Sequence, residues 1–163
     1  MNSESVSTCV AAPPETVLDQ VTDIARLPEW NRAITAVLEA PARLIPGAVW
    51  KVRLHALGQT WVSTSALVEL DAPAGRFRYR SQTDDGNPSY ADWEWLIAGD
   101  GIGSRVTVTV TLHPITFWRK HLLAKLRRPA LRREMQASLR LLVAGKPISS
   151  AGSRGVPGTG RGQ

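Results

Sequence analysis

A chain of 163 residues, 43% of them hydrophobic, has room for one domain with a real core and not for two. No apolar run nears the ~20 residues that cross a bilayer, the start MNSESVST lacks the basic and apolar regions of a signal peptide, and Cys9, the single cysteine, excludes an intrachain disulfide. The net charge of +6 is unevenly held, because residues 1–114 carry nine basic and thirteen acidic side chains whereas residues 115–146 carry nine basic side chains against Glu134 alone. A cytoplasmic protein is expected, with Cys9 as a small core residue on a first strand.

Residues 5–10 alternate, with Val6, Thr8 and Val10 on one face and Ser5, Ser7 and Cys9 on the other. Ala12-Pro13-Pro14-Glu15 then opens a helix: proline is tolerated in a first turn, and Glu15 meets the positive end of the dipole. Val17, Leu18, Val21 and Ile24 lie on its inner face. The helix is expected to break near Asp23, and a second short turn to end at Leu27-Pro28, since the residue before proline is pushed out of the α region. The break delivers Trp30.

Residues 34–38 predict a second strand. Ala48, Trp50, Val52 and Leu54 alternate with Val49, Lys51, Arg53 and His55, the pattern of a half-buried strand. After Gly58, Val62, Thr64, Ala66, Val68 and Leu70 are the expected inner face of the next strand, with Trp61, Ser63, Ser65 and Glu69 outside. Arg76, Arg78 and Arg80 belong to solvent, and Phe77 and Tyr79 to the interior. Asp84-Asp85-Gly86-Asn87-Pro88 reads as a turn and lacks the spacing of a dedicated calcium loop. Trp93, Trp95 and Ile97 face inward against Asp92, Glu94 and Leu96. The glycines 99, 101 and 103 join strand to strand, so they predict a hairpin and not a phosphate loop. Val106, Val108, Val110 and Leu112 then alternate with Arg105, Thr107, Thr109 and Thr111.

Residues 116–143 are the one segment long and regular enough for a long helix. Leu122, Leu126, Leu131, Met135, Leu139 and Leu142 line one face, and Arg119, Lys120, Lys125, Arg127, Arg128, Arg132, Arg133 and Arg140 fill the others. Pro129 interrupts it, at about 3 kcal/mol in an undisturbed helix, and the apolar stripe shifts there, so two segments are expected, kinked or broken at that residue. The basic face at 119–133 could meet an anionic membrane surface or an acidic protein. Only Phe117 and Trp118 flank it as aromatics, which argues against nucleic acid. Residues 145–163, rich in Gly, Ser and Pro, are expected as a disordered tail to a domain spanning 1–144.

A strand, two short helices, about six more antiparallel strands and one long helix make an α+β fold with a curved sheet of 6–7 strands wrapped around the last helix. The order and spacing of Ala12-Pro13-Pro14-Glu15-Thr16-Val17, Leu27-Pro28-Glu29-Trp30, Gly47-Ala48-Val49-Trp50, Glu69-Leu70-Asp71-Ala72-Pro73 and Gly103-Ser104-Arg105-Val106-Thr107-Val108 carry a resemblance. The chain resembles the START-like SRPBCC superfamily, of helix-grip or Bet v 1-like fold, and within it the polyketide cyclase/dehydrase and lipid-transport group. The resemblance covers residues 5 to about 143. It implies a cavity between sheet and helix that takes a hydrophobic or aromatic small molecule; members include lipid and quinone carriers, hormone receptors and aromatase/cyclases.

No His-Glu-x-x-His, Cys-x-x-Cys, Gly-x-Ser-x-Gly or phosphate-loop motif is present, so no metal or cofactor is expected. His55, His113 and His121 fall on separate elements. The expected function is binding or carriage of a lipid, quinone or polyketide-like molecule. Trp30, Trp50, Val52, Phe77, Tyr79, Trp93, Trp95, Val108, Leu131 and Met135 are the candidate ligand-binding residues, the flat rings suiting a planar or isoprenoid ligand. The alternative is a polyketide cyclase or dehydratase of the aromatase/cyclase type, with Tyr79, Thr64 and His113 as candidate proton handlers. Asp92 and Glu94 could serve as acid and base only if Trp93 and Trp95 were turned to solvent, which several kcal/mol of lost burial opposes, at ~1.5–3 for each large side chain.

Overall fold

The computed structural model describes residues 3–115 and 124–144. Seven antiparallel strands form one sheet in the order β1-β7-β6-β5-β4-β3-β2. β1 is Ser3–Val10, β2 Ile34–Glu39, β3 Val49–Ala56, β4 Gln59–Asp71, β5 Arg76–Thr83, β6 Tyr90–Asp100 and β7 Gly103–His113. Helix α1, Pro14–Thr22, and a 3-10 helix, Ile24–Glu29, connect β1 to β2, and helix α2, Ala124–Ala144, closes the domain. The expected start of the long helix, with His121, and the tail from Gly145 lie outside the described residues.

Alternation decides which face of each strand is buried. Trp50 and Val52 on β3, Phe77 on β5, Trp95 and Ile97 on β6 and Val106, Val108 and Val110 on β7 are buried together with Val17, Leu18 and Val21 of α1. α2 adds Leu131, Met135, Leu139 and Leu142 to the same core, and its closest packing on the sheet is against β1. The break after Thr22 occurs at Asp23 as expected, but the 3-10 helix includes Pro28 and runs to Glu29. Its Leu27 carbonyl accepts from the N–H groups of Trp30 and Asn31, which swings Trp30 into the core at 3% exposure.

Three expectations are corrected. Ser63, Ser65 and Leu67 are the buried positions of β4, and Val68 is 48% exposed. The outer-facing valines and alanine mimic an inner stripe in the sequence. A bulge between Leu67 and Glu69 then inserts one residue, Val68, and returns Leu70 to the inner side. Cys9 is exposed, because Val10 takes the core position and alternation turns its neighbour outward. Finally, the expected break at Pro129 is absent, α2 being one helix with that proline inside it. The missing Pro129 N–H would have met the Lys125 carbonyl, one residue from the described start, so the proline removes a single hydrogen bond there without dividing Ala124–Ala144.

The outer face of the sheet is polar and paired. Arg78 bridges Glu69 at 3.0 Å and Glu94 at 3.4 Å, and Arg80 grips Asp92 at 2.7 Å. Ser5 and Ser7 of β1 share hydrogen bonds with Thr109 and Thr107 of β7 at 3.0 and 2.9 Å. Solvated contacts of this kind are worth up to ~1 kcal/mol each. Arg132, Arg133 and Arg140 are exposed on α2.

Candidate functional site: a cavity under the C-terminal helix

The inner face of β3, β5 and β6 presents an aromatic array. Trp50 meets Phe77 and Tyr79 with ring centroids 6.3 and 5.2 Å apart, and Tyr79 stacks on Trp93 at 5.9 Å with the planes 11° apart. From the 3-10 helix, Trp30 meets Trp95 edge-on at 5.4 Å. These six rings, with Val52, Val108, Leu131 and Met135, line a single cavity between sheet and α2. The ten candidate ligand-binding residues therefore line one cavity.

Its cause is a run of small side chains. Cross-strand register places Trp50, Ser65, Ser81 and Ala91 side by side across β3–β6, with Ser63 beside Val52 one step along. Serines among indoles leave volume that larger residues would fill. The cavity measures about 80 Å³, below the ~300–1,000 Å³ of typical small-molecule sites, so a ligand of ring-compound size must part the walls.

The polar groups have distinct states. Ser63 donates to the Gln82 carbonyl at 3.0 Å, and the Trp93 indole N–H donates to Ser81 Oγ at 3.0 Å. Ser65, 3% exposed, lines the cavity. The Trp30 indole nitrogen is buried and has no hydrogen-bond partner among the described residues; a donor left this way costs ~1–3 kcal/mol. Burial pushes the Tyr79 phenol well above its ordinary pKa, with a smaller opposing effect from the Trp95 indole, so it stays protonated at neutral pH. On the α2 side the wall includes Glu134 and Ser138, and Ser138 Oγ accepts from the Arg32 backbone N–H at 3.3 Å.

Two of the three candidate proton handlers lie elsewhere. Thr64 is on the outer face of β4, where its hydroxyl donates to Asp84. His113 is also outside, 3.0 Å from Asp92 and stacked on Tyr90 at 4.4 Å. Asp92 and Glu94 face the same side, occupied by Arg80 and Arg78. Only Tyr79 of that set lines the cavity. Sequence alternation missed Ser63, Ser65 and Ser81; the signal for the last was its parity with Phe77 and Tyr79, and for the first two it was hidden by the phase of β4. Among the described residues no group of three or more His, Cys, Asp or Glu could hold a metal ion, and no helix is long and apolar enough to cross a membrane.

Residues 1–144 match the family model described as polyketide cyclase / dehydrase and lipid transport. No curated protein matches the chain. Among solved structures, the chain is similar to an aromatase/cyclase, Zhui, from a Streptomyces species (TM-score 0.72, 16% identity, 87% of this chain and 91% of that one). It is also similar to a protein of Thermus thermophilus (TM-score 0.70, 23% identity, 87% and 94%) and to a START superfamily protein of Mycobacterium smegmatis (TM-score 0.69, 19% identity, 87% and 97%). At these identities the likeness is one of fold.

Proposed function

We propose that this chain, which belongs to the polyketide cyclase/dehydrase and lipid-transport family, binds and carries a hydrophobic or aromatic small molecule, of lipid, quinone or polyketide-like kind, in the cavity under α2. The observation that carries this reading is the convergence of six aromatic rings from four separate elements on one internal space floored by serines. A core selected for stability alone would close that space, since unfilled volume costs about 24 cal/mol per Å³. Native mass spectrometry of freshly purified protein tests the reading. A retained small molecule, or uptake from a panel of lipids, quinones and aromatic polyketides, is the expected result; a protein that stays bare against the whole panel contradicts it.

A second reading, an aromatase/cyclase, is supported by one residue. Tyr79 is a half-buried, protonated phenol lining the cavity, suited to give a proton to a bound carbonyl oxygen. Thr64 and His113, engaged on the outer face, do not support it. Under this reading a polyketide substrate is cyclised by the native protein and at least ~100-fold more slowly by Tyr79→Phe, the usual scale for a lost general acid. Equal turnover by the two proteins would remove Tyr79 from the chemistry.

A further inference from the structure

The β3–β4 hairpin ends in a turn that breaks a local rule. Ala56 and Gln59 are paired, so Leu57 and Gly58 form a two-residue loop, and both hold left-handed backbone, at φ 52° and 72°. Loops of this geometry call for Asn, Asp or Gly at the first position. A leucine occupies it here, 71% exposed. It gains little burial in return for its strained backbone, and positions that break a local rule in this way mark function.

The tip also projects. β5 ends at Thr83, opposite Ser63, and the Asp84 N–H donates to the Val62 carbonyl, whereas Gly58 lies roughly 13 Å further along at ~3.3 Å per residue. The hairpin from Arg53 to Trp61 holds Arg53 and His55 and no acidic side chain. Leu54, shortly before the tip, lines the cavity together with Leu131 and Glu134 of α2, so hairpin and helix border the same space. The side of α2 turned away from the core exposes Arg132, Arg133 and Arg140. The β6–β7 hairpin tip, Ile102, is exposed too, but beside it Asp100 and Arg105 neutralise each other at 3.1 Å.

We propose that the β3–β4 hairpin tip and the arginine side of α2 form one docking surface for an anionic lipid bilayer, with Leu57 entering the headgroup layer. Arginines supply attraction to anionic lipid, and an apolar side chain at the tip supplies the burial that holds a peripheral protein in the interface. The shape favours a bilayer over an acidic protein: a convex tip enters a fluid interface without a matching pocket, while a folded partner would need both a pocket and aligned carboxylates. The inference goes beyond the ligand reading and does not depend on what the cavity holds.

The test is co-sedimentation of the full chain, with no ligand added, with vesicles of phosphatidylcholine alone or of equal parts phosphatidylcholine and phosphatidylglycerol. The native protein should sediment with the mixed vesicles and not with the neutral ones, and less as salt rises. Leu57→Asn, which suits the turn better and should melt no lower than the native chain, should weaken binding about tenfold, the scale of one leucine's burial. The triple variant Arg132→Gln/Arg133→Gln/Arg140→Gln should lose the preference for mixed vesicles, and Ile102→Asn should bind as the native chain does. A native protein that stays in solution with the mixed vesicles overturns the proposal. Binding that Leu57→Asn leaves unchanged shows a surface for any polyanion, an acidic protein included, and overturns the bilayer assignment. An equal loss in Ile102→Asn overturns the assignment to this hairpin.

Discussion

Ser65 is the residue at which stability and use of the cavity pull apart. It is 3% exposed and lines about 80 Å³ of free space. Ser65→Val removes that hydroxyl and adds methyl groups to the gap, so it should stabilise the protein by about 1 kcal/mol, or ~2–4 °C in melting temperature for a domain of this size. The same change should weaken ring-compound binding at least severalfold. Calorimetric melting and a binding titration on one sample check both; a variant that is less stable, or that binds as before, contradicts this account of the floor. Tyr79 supplies a pH signature. Its folded pKa is raised above the ordinary value of 10.0 by burial, so the stability it contributes is complete below pH 10 and is lost as pH rises through the folded value. Stability measured against Tyr79→Phe should therefore decline above pH 10 by up to ~1.4 kcal/mol per pH unit. A constant difference between the two proteins from pH 8 to 11 would mean the phenol reaches water. Neither residue's role was readable in full from the chain: Tyr79 announced itself by alternation, while Ser65 fell on the wrong face until the bulge at Val68 was known.

At the scale of elements, close backbone contacts set where strands begin and turn. Gly75 has φ +65°, and a Cβ there would run into the Ile97 carbonyl oxygen, on the strand whose N–H groups include Ile97 N donating to Gly75 at 2.8 Å. Gly75→Ala should destabilise by more than the ~1–2 kcal/mol of a left-handed backbone alone, seen as a lower urea midpoint; an unchanged midpoint would show that the β5–β6 edge shifts freely. Pro129 works in the other direction. It is exposed on α2, so Pro129→Ala loses no core packing and restores one N–H to the helix, and should stabilise by up to ~3 kcal/mol. Strands with strict alternation, β3, β6 and β7, were legible because apolar side chains fill most inner positions, Ser104 on β7 being a buried exception. β4 was not, because a cavity floor needs small polar residues inside, which read in a sequence as an outer face. Continuity of α2 through Pro129 was illegible for a similar reason: tertiary packing of Leu131, Met135 and Leu139 on the core outweighs a local propensity.

For the whole molecule, the question is how a cavity of only about 80 Å³ admits a ligand. The sheet is tied through six ladders, whereas α2 packs chiefly against β1, so the helix side is the softer wall. Ligand binding should slow amide hydrogen exchange in α2 and around Trp30 more than in β5–β7; uniform protection, or none, would place entry elsewhere. The fold itself was legible from element order, since a first strand, two short helices, a strand meander and a last helix admit few arrangements. What occupies the space was not, because ring positions report shape and a ligand's chemistry is read from the few polar groups between them. The central claim, that this cavity is a ligand site, has built-in reporters: Trp30, Trp50, Trp93 and Trp95 line it and Trp61 does not. A ¹H–¹⁵N NMR titration that follows the indole signals with a ring ligand such as 1-indanone should move those four and leave Trp61 in place. Signals that stay fixed, or a shift of Trp61 alone, would contradict it.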